Sequence, residues 1–192
     1  GRTFYNNKDY AKANQFADYA LQKNSKYAGA FLLKGDICVS NDDAGGASQN
    51  YQQAIYFAPK NPEGYYKYAM ILRGRNPEDA VATLEDLRKQ VPDYPVDALA
   101  ARIYYHTKNP NLNRAAEYYG KVADVTNMDD EDIKDYATIE WMLGNKDKSI
   151  EVAKAGLTKD AKWSTLNRLV FWNSTDKNYT DQALDYADRL FN

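Results

Sequence analysis

A small residue followed by an aromatic residue or leucine, and then by a proline, returns along this chain at a nearly fixed step of 34 residues. The anchors are Ala13, Ala47, Ala80, Ala115, Ser149 and Ala183, spaced by 34, 33, 35, 34 and 34. A period of that length, sustained across a whole chain, constrains the fold more than any other feature. Each period is one supersecondary unit too thin to bury its own apolar face, so the units must stack on one another. The 192 residues hold about five or six such units.

The unit over residues 28–61 shows the grammar. Phe31-Leu32-Leu33-Lys34-Gly35-Asp36-Ile37-Cys38-Val39 reads as a first helix, and Asn41, Asp42, Asp43 and Gly45 as the turn. Ala47, Tyr51, Ala54 and Ile55, at steps of three and four, mark one face of a second helix that Pro59 ends. Asn61-Pro62-Glu63 then opens the next unit with a capping side chain, a first-position proline and an acid in the first turn. Asn76-Pro77-Glu78-Asp79 repeats that signal ahead of Ala80, Leu84 and Leu87, with a stop at Pro92. After the turn Asn109-Pro110-Asn111 come Ala115, Tyr119 and Val122. The acids Asp129 to Asp132 suit the positive end of a helix dipole. Gly144-Asn145 is followed by Ser149, Ala153 and Gly156, and a last second helix by Ala183, Ala187 and Leu190. Ala13, Ala17 and Ala20 belong to a first unit whose leading helix is short.

The pattern predicts about eleven helices, no strand, and one array over 1–192. Its approximate repeats are 1–27 (partial), 28–61, 62–94, 95–128, 129–162 and 163–192 (partial). Because the chain opens within a helix and stops at Leu190-Phe191-Asn192 without a polar capping helix, it is expected to be an excerpt of a longer protein.

These residues resemble the tetratricopeptide repeat, whose pattern is a Trp, a Leu-Gly and an aromatic in the first helix, then Ala, an aromatic, Ala and Pro in the second. Phe31, Gly35, Ala47, Tyr51, Ala54 and Pro59 fall on the family's positions. Lys34 stands where Leu is expected and Cys38 where an aromatic is usual. The glycine is replaced by Ala69, Ala101 and Ala137, and the closing proline by Ser25, Asn127 and Ala161. The resemblance implies an all-α, right-handed superhelix, an α-solenoid of about six stacked antiparallel helix pairs. First helices would line a concave groove that holds an extended peptide or partner helix. Such proteins are interaction scaffolds far more often than enzymes.

Aligning the first helices gives the groove candidates Tyr66, Arg73, Arg102, Tyr105, His106, Lys134, Thr138, Trp141, Arg168 and Trp172. They are rich in aromatic and basic types, although the chain carries a net charge of −2. Tyr, Trp and Arg are the residues enriched at binding hot spots. The expected partner is a protein or peptide of acidic character, with Arg102, Lys134 and Arg168 as charge partners. Against this stands the ordinary state of such side chains, cations in water and aromatics in packing. The family's carboxylate-gripping Lys and Asn positions hold Leu32, Asp36, Tyr66 and Met70, so that clamp is missing.

His106 is the one histidine, and no nucleophile or second ligand lies near it in sequence, so it is read as a surface or groove residue. Cys38 is read as a buried, inert thiol, and its being the one cysteine rules out an intrachain disulfide. The run Asp129 to Asp132 lacks the ligand spacing and central glycine of a calcium loop. Asn173-Ser174-Thr175 and Asn178-Tyr179-Thr180 match the glycosylation sequon. No phosphate loop, zinc motif or nucleophile elbow is present, and no basic excess points to nucleic acid. The sequence therefore reads as a non-catalytic scaffold without cofactor or metal, not inserted in a membrane. The alternative is a carbohydrate- or ligand-binding assembly module, with Tyr105, Trp141 and Trp172 stacking on sugar rings. The Tyr-, Asn- and Asp-rich style leans towards a bacterial periplasm or cell envelope.

Overall fold

The computed structural model describes residues 1–176, and these residues form helices and turns. The chain divides into two compact units between Val96 and Asp97. The first unit holds α1 (Arg2–Asn6), α2 (Tyr10–Lys23), α3 (Ala28–Ser40), α4 (Ala44–Phe57), α5 (Pro62–Leu72) and α6 (Pro77–Gln90). The second holds α7 (Val96–Tyr105), α8 (Leu112–Tyr119), a 3-10 turn at Val125–Asn127, α9 (Asp130–Met142), α10 (Lys146–Leu157) and α11 (Ser164–Asp176). Within each unit helices pack on their sequence neighbours: α2 on α3, α3 on α4, α4 on α5 and α5 on α6, then α8 on α9, α9 on α10 and α10 on α11. The class is all-α with paired helices, as the repeat pattern requires.

Short polar side chains start the helices. Asp9, Asp43, Asn76 and Asn111 each accept a hydrogen bond from the backbone N–H three residues on, and Asn61 from Glu63. Each satisfies a donor that the first turn leaves open. Gly45 lies inside α4 rather than in the turn before it. α8 ends at Tyr119, so Val122 falls beyond the second helix in which its spacing places it.

The periodic anchors lie in the core. Ala13, Ala47, Ala80, Ala115 and Ser149 are all fully buried, and so are Ala69, Ala101 and Ala137, which replace the family's glycine. The Ser149 hydroxyl donates to the Ala137 carbonyl at 2.8 Å, so a polar anchor is tolerated only because it finds an acceptor. At Gly35 a Cβ would fall 2.3 Å from the Tyr51 ring, so the α3–α4 approach needs the missing side chain. Gly156 is similarly held, with Leu166 at 2.5 Å and Ile133 at 2.7 Å from a would-be Cβ. Cys38 is half-buried rather than fully enclosed. Asn173 is 1% exposed and its amide donates to the Leu169 carbonyl, so the first sequon is inaccessible in the folded chain. Ala183, Ala187, Leu190 and Asn178 lie outside the described residues.

Candidate functional site

Eight of the ten candidate residues belong to the second unit, on or next to α7, α9 and α11. Tyr66 and Arg73 belong to the first unit. Tyr66 is exposed on α5, and Arg73, just past that helix, directs its guanidinium at the Met70 sulphur. Tyr66 borders a hollow of about 390 Å³ with Arg2, Val39 and Lys67, above a buried Asp36. Asp36 accepts from the Tyr51 hydroxyl at 2.8 Å, from Lys67 Nζ at 2.8 Å and from Arg2. Burial, and then the hydrogen bond to Asp36 and the charge of Asp36, push the Tyr51 hydroxyl up strongly.

An aspartate of the second unit is held in the same chemical manner. Asp132, in the first turn of α9, is 1% exposed. It accepts from the Tyr119 hydroxyl at 2.9 Å and from Arg102 at 2.5 Å, and Arg102 also reaches Asp129. A carboxylate can be buried at this depth only with such partners. The Asp132 hydrogen bonds, outweighing burial, and then those to Asp129 hold the Arg102 proton more tightly than usual. Arg102 is therefore a structural counterion first.

Lys134 is also occupied. It pairs with Glu131 at 3.0 Å and lies 5.0 Å from the Trp163 ring centroid. Of the three expected charge partners, Arg168 alone has no carboxylate partner among the described residues. It is exposed, with its guanidinium 5.9 Å from the Trp172 ring. Trp172 and Trp141 bring their rings to 5.5 Å and remain 42% and 37% exposed. Thr138 sits half-buried one turn before Trp141 on α9.

His106 has a partner that sequence reasoning missed. Its Nε2 lies 2.6 Å from Asp135 Oδ2. Burial pushes the Asp135 carboxyl up, the His106 hydrogen bond pulls the other way, and Asp132 and Glu131 add to the rise. The pair stands between two hollows. One, of about 500 Å³, has Tyr105, Pro110, Leu112 and Met142 as further walls. The other, of about 570 Å³, reaches Arg102, Met128 and Lys159. Burial and then the Asp135 charge raise the Tyr105 hydroxyl. A signal for Asp132 and Asp135 is present in the sequence: acids three apart near the start of an otherwise apolar helix face, with Arg102 and His106 about one repeat earlier. Among the described residues no three His, Cys, Asp or Glu side chains converge to hold a metal ion, and no helix is long and apolar enough to cross a membrane.

No family model and no curated protein matches this chain by sequence. Solved structures do match. One is the C-terminal part of a tetratricopeptide-repeat protein from Cytophaga hutchinsonii, with TM-score 0.75 and 12% identity, covering 98% of this chain and 76% of that one. A second is YrrB, described as a tetratricopeptide-repeat protein with an unusual peptide-binding site, with TM-score 0.66, 14% identity and coverage of 91% and 90%. A third is PilW, a type IV pilus biogenesis factor, with TM-score 0.61, 18% identity and coverage of 98% and 88%. At these identities the likeness establishes the fold, the stacked helix pairs of tetratricopeptide-repeat structures.

Proposed function

We propose that this protein is a non-catalytic scaffold that holds an extended segment of a partner protein on the α7–α9–α11 face of its second unit. The observation that carries this reading is the exposed Trp141–Trp172 pair with Arg168 beside it. What sets these two rings apart is that they meet each other and a cation on neighbouring first helices, and clustered exposed aromatics beside an arginine are the composition of binding hot spots. Arg168 is the point at which an acidic residue of the segment docks, since Arg102 and Lys134 already face carboxylates. The description of YrrB as peptide-binding agrees with a peptide ligand on this fold.

The test is selection of a random 12-residue peptide display library on the immobilised protein, beside a folded Trp141→Ala, Trp172→Ala variant and Arg168→Glu. Segments that bind the wild type and are lost on both variants support the reading. No enrichment on the wild type, or equal capture by all three proteins, refutes it. The exposed indoles also favour a second reading, a saccharide stacked on them. That would show as glycan binding insensitive to salt and to Arg168→Glu, whereas a charge-assisted segment weakens as salt rises.

A further inference from the structure

We infer that the hollow between α7 and α9 takes the side chain of a lysine or arginine, with the cation on Asp135 and the aliphatic stem along Tyr105, Leu112 and Met142. The inference rests on the partner-segment reading above and names a residue class that the segment carries. It reverses the purely acidic partner expected from residue types.

The argument is one of unspent charge. Among the described residues, the three cations that pack around α9 have other partners. Arg102 serves Asp132 and Asp129, Lys134 serves Glu131, and Lys159 serves Asp130 and the Met128 carbonyl. Asp135 itself has the His106 ring as its hydrogen-bond partner. The carboxylate is nevertheless half-withdrawn from water, which favours its neutral form, and it sits in the negative field of Asp132 and Glu131. An incoming cation relieves both penalties, because a charge-assisted contact strengthens as water is excluded. Four of the six walls of the hollow are Tyr105, Pro110, Leu112 and Met142. Long basic side chains lay their methylenes on such surface while placing the charge at the far end. A bare metal ion fits poorly, since a single carboxylate faces this space and hard cations need about six or more oxygen ligands.

The single histidine makes the test direct, because its ring protons give one NMR signal beside the site. n-Butylguanidinium is titrated into the protein at constant ionic strength, with n-butanol as the uncharged control. The expected result is a saturable shift of the His106 signal with n-butylguanidinium and not with n-butanol. Saturation is lost in Asp135→Asn, kept in Asp135→Glu, and unchanged in Trp141→Ala. An identical response of Asp135→Asn and wild type, or of the two probes, overturns the assignment. In segments selected as above, replacing the basic residue by norleucine should weaken binding to the wild type about tenfold, the worth of one charge-assisted contact, and leave Asp135→Asn unaffected. Trp-dependent segments without a basic residue would sink this inference and leave the scaffold reading standing. Saturation by n-butylguanidinium with no enriched segment would do the reverse, keeping the chemistry of the hollow and removing the peptide.

Discussion

Replacing Arg102 by methionine keeps much of the stem and removes the counterion of Asp132, a carboxylate only 1% exposed. Deleting one partner of a fully buried ion pair costs about 3–5 kcal/mol. Here the guanidinium is 36% exposed, and the Tyr119 hydroxyl stays on Asp132 at 2.9 Å. Those two features bring the expected loss down to about 2–3 kcal/mol. In urea this is a fall in midpoint of about 1–2 M for a unit of this size. All three tryptophans, Trp141, Trp163 and Trp172, lie in the second unit, so their fluorescence follows that unit specifically. Asp132→Asn alone should cost less, because an amide still accepts from Tyr119 and Arg102 keeps Asp129. The double variant Arg102→Met, Asp132→Asn should recover most of the loss, since no buried charge is left alone. A double variant no more stable than Arg102→Met would refute the reasoning. It would show that Asp132 does not depend on Arg102, and would return that guanidinium to the set available to a partner.

Three further outcomes follow from the packing and the titrating groups. Gly156→Ala should destabilise by about 1–3 kcal/mol in the same urea assay, because its Cβ would enter the van der Waals space of Leu166 and Ile133. Tyr136, pushed up to about 12 by burial and by the charges of Glu140 and Glu151, is protonated in the fold at a pH where an unfolded tyrosine ionises. Its stabilising effect is complete below about pH 10 and is lost as pH rises through about 12, so its tyrosinate absorbance at 295 nm should appear above the range of a free tyrosine. The Cys38 thiol is raised by burial and then by Asp43, so it should react with a disulfide reagent at pH 8 more slowly than a free cysteine and speed up in urea. Equal rates before and after unfolding would contradict that environment.

Part of the site is legible in the sequence. Trp141 and Trp172 fall on the exposed side of first helices because helical exposure follows a local period of 3.6 residues, which spacing alone reveals, and His106 is exposed just past the end of α7. What spacing does not reveal is which charges are already spent. Arg102 and Arg168 look alike in sequence, yet one is bound to two aspartates and the other lies over an indole. Asp132 reads as a helix-starting acid and Asp135, three residues on, carries no mark of its own in the sequence, yet the first is sealed and the second walls a hollow.

The architecture follows from residue size and period. A small residue every 34 positions can have one structural meaning in a stack of helices, the point where two helices come closest, and all five described anchors are fully buried. Size and period are properties that each stretch of chain carries in itself. The electrostatics arise only in the packed molecule. Arg102 and Asp132 stand 30 residues apart and His106 and Asp135 stand 29 apart, each pair bridging neighbouring first helices. Whether such side chains meet, and how much water reaches them, depends on the approach of two helix surfaces to within a few ångströms. No one-dimensional pattern encodes that distance, and it is what turns one arginine into a counterion and sets another over an indole ring.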